Sequence, residues 1–88
     1  MLICEKVNGV YHIVDIEKLI QNIQKQKEYI IMEYNAMPIY CKIPSWLFRA
    51  LRKKSLLDFH TEFMYYTFCG LVVCATETIT EVSEIEVF

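Results

Sequence analysis

The first hydrophobic segments of the chain are short and interrupted by a turn signal. Residues 2–7 (LICEKV) and 10–14 (VYHIV) are both strand-like in composition, and Asn8 and Gly9 lie between them. Asn-Gly is favoured in two-residue hairpin turns because both positions require a positive φ. The pattern therefore predicts a β-hairpin at the start of the chain.

The spacing of apolar residues changes to a helical period directly after this hairpin. Asp15 is a residue type that caps helix N-termini well. The apolar positions that follow it at i, i+3, i+4 and i+7 are Ile16, Leu19, Ile20 and Ile23. We therefore predict a short amphipathic helix over residues 16–27, with one apolar stripe and a solvated opposite side.

The middle of the chain reads as two strands followed by a second helix. Residues 28–34 (EYIIMEY) and 38–43 (PIYCKI) have strand-like composition and are separated by a turn. Pro44 ends the second of these strands, and Ser45 is a suitable cap for a helix over residues 46–55.

The last third of the chain is dominated by β-type residues. Residues 62–69 and 71–75 are almost continuously apolar and are separated by Gly70, which fits either a bulge or a tight turn. Residues 84–88 alternate strictly, which predicts an edge strand with Ile85 and Val87 inward and two glutamates outward.

These elements predict one domain over residues 1–88, of the α+β class. We expect a mainly antiparallel sheet of about five to seven strands, with two short helices packed on one face. A chain of 88 residues has no room for a second core.

The composition is more apolar than a domain of this size can bury. Hydrophobic residues make up 55% of the chain and aromatic residues 14%, against roughly 45–50% apolar residues in typical soluble domains. Part of this surface is expected to remain exposed as an interface. A closed homodimer, through sheet faces or a strand edge, would cover it.

Charge and hydropathy limit the classes of protein to which the chain can belong. The net charge of −2 is unlike that of a globally basic nucleic-acid-binding domain. The longest apolar run, residues 68–75, is far shorter than the ~20 residues that span a bilayer. We expect a cytoplasmic protein without membrane contact, in which the four cysteines (Cys4, Cys41, Cys69 and Cys74) are free thiols.

The sequence offers little for catalysis or cofactor binding. His60 with Cys41, Cys69 or Cys74 is the only candidate nucleophilic set, and no motif places these residues together. Metal-ligand spacing is also absent, and two glycines are too few for a phosphate-binding loop. We therefore predict no enzyme activity, no catalytic residues, no metal and no cofactor.

Two groups of residues are candidates for partner binding. On the predicted second helix, Trp46 falls beside Arg49 and Lys53, away from Leu47 and Leu51, and we expect its ring to be half exposed. Tryptophan and arginine are enriched at binding hot spots. A Trp folded back onto the first helical turn, among cations that only keep the surface soluble, is the alternative.

The aromatic run of residues 63–68 is the second candidate surface. Alternation places Phe63 and Tyr65 on one side of a strand and Tyr66 on the other, so that one side faces the core and the other an interface. The candidate partner-binding set is Trp46, Arg49, Arg52, Lys53, Phe63, Tyr65 and Tyr66.

Taken together, the sequence favours a small non-enzymatic protein-binding module: an adaptor, an inhibitor or an assembly subunit. The alternative is a nucleic-acid-binding accessory protein that uses the basic helix of residues 46–54. The many Ile, Lys and Tyr residues suit an AT-biased genome such as that of a phage or mobile element, where an inhibitor of a host protein is a natural hypothesis.

Overall fold

The computed structural model describes all 88 residues and contains two helices, seven strands and a short 3-10 helix. The elements are β1 (Leu2–Val7), β2 (Val10–Asp15), α1 (Ile16–Tyr34), β3 (Tyr40–Pro44), α2 (Ser45–Lys53), β4 (Asp58–His60), β5 (Tyr65–Phe68), β6 (Leu71–Thr76), the 3-10 helix Val82–Glu84 and β7 (Glu86–Val87). The first two strands form a separate hairpin, and the other five form a mixed sheet in the order β4-β5-β6-β3-β7.

This architecture confirms the predicted α+β class. Only β3 and β6 are parallel, and the other three pairings of the five-stranded sheet are antiparallel. No helix combines the length and apolar composition needed to cross a membrane.

Two tight turns explain how the hairpins form. Asn8 and Gly9 have φ values of 50° and 81°, and Val7 pairs with Val10, so the predicted first hairpin is confirmed. The turn between β5 and β6 has the same form, with φ of 52° at Cys69 and 76° at Gly70. Gly70 therefore lies in a two-residue turn rather than in a bulge.

Helix α1 begins where the sequence predicts and ends seven residues later. The Oδ1 atom of Asp15 accepts hydrogen bonds from the backbone N–H groups of Glu17 and Lys18, at 3.1 and 3.4 Å. The predicted end at residue 27 and the predicted strand over 28–34 are both wrong. No residue in this segment interrupts the helix until Asn35, whose φ of 49° ends it in the left-handed conformation.

Helix α2 differs from the prediction at its N-terminus. Pro44 is the N-cap, and no side chain makes a capping hydrogen bond, so the predicted cap by Ser45 is wrong. Proline fits this position because its φ of −60° leads into the helix. Leu47 and Leu51 are fully buried, as expected from their spacing.

Both helices pack on one face of the five-stranded sheet. Fifteen buried apolar residues form a single core: Ile3, Val14, Ile16, Leu19, Ile23, Cys41, Ile43, Trp46, Leu47, Ala50, Leu51, Phe68, Leu71, Ile85 and Val87. The hairpin contributes the first two, so it lies on the helix side as well. The predicted edge strand is present and Ile85 and Val87 are buried as expected, but it is shorter than residues 84–88, because β7 covers only Glu86–Val87 and Glu84 belongs to the 3-10 helix.

Candidate functional site

Trp46 is part of the core rather than of an exposed surface. Its side chain is only 5% exposed, so the expectation of a half-exposed ring is wrong. The Nε1 atom donates a hydrogen bond to the carbonyl of Thr80 at 2.8 Å. The imidazole of His12 stacks on the indole, with ring centroids 4.4 Å apart. The hairpin and the segment after β6 cover Trp46. Helical periodicity does not reveal these contacts, because His12 and Thr80 are far from Trp46 in the sequence.

Two of the cations on α2 are engaged within the chain. The Nζ atom of Lys53 lies 2.9 Å from Oε1 of Glu5 on β1. The guanidinium of Arg52 lies 5.5 Å from the centroid of the Phe48 ring. Both groups remain exposed, but each already has a favourable neighbour. They form part of the solvated outer side of the helix.

Arg49 lies in a groove of mixed charge. The groove has a volume of about 330 Å³ and runs between the hairpin, α2 and the segment after β6. Glu77 and Glu81 line the same groove. These carboxylates lower the positive potential that a phosphate backbone would meet there.

The aromatic run divides between two faces, but the predicted strand over residues 62–69 begins only at Tyr65, because residues 61–64 form a turn in which Met64 has a φ of 55°. Tyr66 faces the helices, where its ring lies 5.3 Å from Phe48 and 4.7 Å from Phe59. Tyr65 lies on the opposite face, and Phe63 stacks on its outer side. The seven predicted site residues therefore do not form one surface, because only Phe63 and Tyr65 lie on the side away from the helices.

That side is one continuous sheet surface, which we call the open face. Strand alternation and register place eleven residues on or beside it: Tyr40, Lys42, Asp58, His60, Phe63, Tyr65, Thr67, Val72, Cys74, Glu86 and Phe88. Both helices and the hairpin pack on the other side, so no element of the chain covers this face.

An aromatic pair lies at the β7 end of the open face. The rings of Tyr40 and Phe88 stack with centroids 5.3 Å apart. The Nζ atom of Lys42 lies 5.8 Å from the Phe88 ring. Phe88 is half exposed and Tyr40 is 40% exposed. This end of the face presents two stacked rings with a cation and a carboxylate beside them, because Glu86 is the β7 partner of Lys42.

A second aromatic group lies at the β4 end. The imidazole of His60 stacks on Tyr65 at 4.7 Å with nearly parallel planes, and its Nε2 atom lies 3.0 Å from the hydroxyl of Thr67. Phe63 extends this stack into solvent and is 74% exposed. The two aromatic groups are joined across the sheet by Val72 and Cys74 on β6.

The sequence contains a signal for Tyr40 and Phe88 that the predicted site set does not use. In residues 40–43 the buried positions are Cys41 and Ile43, so the intervening Tyr40 and Lys42 must face the other way. Phe88 follows the same rule after the buried Val87. Recognising the face required the strand order, because β3, β5 and β7 are distant in sequence.

Of the three cysteine candidates for catalysis, only Cys74 shares a sheet face with His60, since Cys41 lies in the core and Cys69 packs against it. Cys41 is fully buried on the helix side, and burial raises the pKa of its thiol to about 12. Burial also raises the pKa of Cys69, while Lys27 opposes that effect. Thiols with raised pKa values are weak nucleophiles at neutral pH. His60 bonds Thr67 instead, and no three His, Cys, Asp or Glu residues lie close enough to hold a metal ion.

The chain matches no known protein-family model, no curated protein and no solved structure. The assignment of a function therefore rests on the residues and their geometry.

Proposed function

We propose that this protein is a non-enzymatic protein-binding module and that its partner binds to the open face. The observation that carries this proposal is the uncovered sheet face with an aromatic group at each end. Antiparallel sheets that face water usually carry polar residues on the solvated side. Here four aromatic residues share that side with the polar ones: Tyr40, Phe88, Tyr65 and Phe63.

The chemistry of the open face suits a protein surface. Tyrosine rings bury a large apolar area and retain a hydroxyl that bonds to a partner, which is why they are common at hot spots. Neither Tyr40 nor Tyr65 uses its hydroxyl in a hydrogen bond within the chain. Lys42 and Glu86 on neighbouring strands, with Asp58 on the edge strand β4, supply charges of both signs for orientation.

The biological role that fits such a module is that of an adaptor, an inhibitor or a subunit of a larger assembly. We also propose that the protein forms a homodimer, because the open face does not account for all of its exposed apolar surface. An inhibitor encoded by a phage or mobile element, acting in the cytoplasm on a host protein, is one form of this proposal.

Affinity capture with matched variants tests the open face. The tagged protein, a Tyr40→Ser/Phe88→Ser variant and an Ile13→Ser variant would be used on lysate of the source cell. Ile13 is 71% exposed on the outer side of the hairpin, away from the open face, so its variant controls for loss of exposed apolar surface. We expect one stoichiometric protein with the unmodified chain and with Ile13→Ser, and its loss with the double variant.

Nuclease treatment and salt separate this function from nucleic-acid binding through α2. Contacts with phosphates weaken steeply between ~50 and ~200 mM salt, whereas a mainly apolar interface changes little. A partner that is lost after nuclease or high salt, and after Arg49→Glu/Arg52→Glu, would contradict the proposal and favour the basic helix. Equal capture by the Tyr40→Ser/Phe88→Ser variant and the unmodified chain would also contradict it.

A further inference from the structure

The last two turns of α1 extend beyond the sheet on which the helix packs. The side-chain amide of Gln26 bonds the backbone of β7, and Nζ of Lys27 donates to the carbonyl of Cys69 at 3.0 Å. After these contacts, Ile30 is the only helical residue packed against the core. Residues 28–34, which we call the exposed end of α1, have no other cover.

This exposed end is apolar on several sides. Met32 is 83% exposed, Tyr34 67% and Tyr29 58%, and Met37 in the following turn is also exposed. Helices in proteins gain most of their stability by packing an apolar face against another element. A helical segment that is apolar around most of its circumference is normally buried. The exposed end of α1 therefore needs a covering surface that the chain itself does not supply.

The residues on one side of this segment are complementary to themselves in an antiparallel arrangement. Lys25, Tyr29 and Glu33 follow at intervals of four residues, and Met32 lies beside them. Lys25 and Glu33 are thus equally far from Tyr29 along the axis, about 12 Å from each other. Neither residue forms an ion pair within the chain.

We infer that the exposed end of α1 binds a second copy of this chain, with the two helices antiparallel about a two-fold axis beside Tyr29. In this arrangement Lys25 of each copy lies at the height of Glu33 of the other. Tyr29 and Met32 occupy the centre of the contact. The inference rests on the proposed homodimer and is independent of partner binding at the open face.

A second copy is favoured over another occupant because the charges are arranged symmetrically. A two-fold contact uses the same patch on both molecules, so each residue must find its complement within that patch. Along the helix side that carries Tyr29 and Met32, Lys25 lies before this apolar centre and Glu33 after it, at the same distance from Tyr29. Two helical turns bury less than the ~800 Å² per partner of a standard interface, so the dimer should be reversible and concentration-dependent.

Charge reversal with restoration tests this contact. Sedimentation equilibrium of the full chain would be measured from low to high micromolar concentration for the unmodified protein, Lys25→Glu, Glu33→Lys and the double variant. Each single change replaces two attractive pairs by two repulsive ones, so we expect the dimer dissociation constant to rise about tenfold. The double variant restores opposite charges in the reverse order and should dimerise like the unmodified chain.

Lys18→Glu is the matched control, since it reverses an exposed lysine near the other end of α1. We expect it to leave the dissociation constant unchanged. A dimer that is insensitive to the single reversals, or that the double variant does not restore, would overturn the assignment to α1 and leave the homodimer itself standing. A chain that stays monomeric throughout would overturn the homodimer and this inference together.

Discussion

The side-chain amide of Gln26 pairs with the outer edge of β7 as a neighbouring strand would. Its Oε1 atom accepts a hydrogen bond from the backbone N–H of Val87 at 3.0 Å, and its Nε2 atom donates to the carbonyl of Ile85 at 3.0 Å. The other side of β7 pairs with β3. One glutamine therefore satisfies the free backbone groups of an edge strand that would otherwise be open to pairing with another chain.

Replacing Gln26 by alanine should destabilise the protein. Gln26→Ala removes both hydrogen bonds and leaves a partly buried donor and acceptor on β7, so we expect a loss of about 1–3 kcal/mol in the free energy of unfolding. Urea denaturation checks this value, and hydrogen exchange should show faster exchange of the Val87 amide. Gln24→Ala, at an exposed position of the same helix, should change stability by less than ~0.5 kcal/mol. Equal stability of the two variants would contradict the role of Gln26.

The parts of the fold that the sequence predicts are those determined by local chemistry. Asn8 and Gly9 form their turn because of their own backbone preferences, and Asp15 caps α1 with its own side chain. The alternation around Ile85 and Val87 likewise needs no knowledge of distant residues. Each of these features depends on contacts within a few positions of the chain.

The segment 28–34 shows where local chemistry misleads. Its Tyr and Ile residues favour strands because they pack well on pleated surfaces, and that preference depends on context. Here the segment continues a helix that Asp15 has already started, and helix propagation adds one hydrogen bond for each residue fixed. The helix ends only at Asn35, which adopts the left-handed backbone conformation.

The candidate site was predictable only in part, because it depends on strand order. Phe63 and Tyr65 belong to one sequence segment, and alternation predicts the face of Tyr65 from β5, whereas Phe63 reaches that face from the turn before the strand. Tyr40 and Phe88 meet because β3 pairs with β7 from the other end of the chain. Trp46 was misplaced for the same reason, since its covering residues His12 and Thr80 are far away in sequence.

Trp46 should be important for stability even though it lies on the helix with the exposed cations. Trp46→Phe keeps an aromatic ring but removes the donor that bonds the Thr80 carbonyl, so we expect a loss of about 1–3 kcal/mol. Chemical denaturation followed by circular dichroism checks the magnitude. Hydrogen exchange should also increase in the segment after β6. Tyr34→Phe removes a polar group from an exposed ring and should be nearly neutral; a comparable loss in both variants would refute this role.

Asn35 should tolerate glycine but not a β-branched residue. Its φ of 49° lies in the left-handed region, which glycine adopts freely and which crowds a β-branched side chain. We expect Asn35→Gly to be neutral or stabilising by up to ~1 kcal/mol, and Asn35→Val to be destabilising by about 1–2 kcal/mol. Thermal or urea unfolding gives both values. Gln24→Gly, in the interior of the same helix, should cost about 1 kcal/mol. If glycine costs the same at both positions, Asn35 does not end α1 in this way.

The buried thiol of Cys41 should make stability decrease at alkaline pH. Its pKa is about 12 in the folded protein against an ordinary value of 9.0. Between these values the unfolded chain loses the proton and the folded protein keeps it, so the folded state binds more protons and the free energy of unfolding falls as pH rises. The contribution is present in full below pH 9 and decreases by about 1.4 kcal/mol between pH 8 and pH 10. Urea denaturation under reducing conditions, at both pH values, measures this decrease.

Lysines and tyrosines also titrate at alkaline pH, so the comparison is with Cys41→Ala, which should lose about 1.4 kcal/mol less over this range. Cys4→Ala removes an exposed thiol and should retain the full dependence. Equal pH dependence in the unmodified protein and Cys41→Ala would mean that this thiol does not stay protonated in the core.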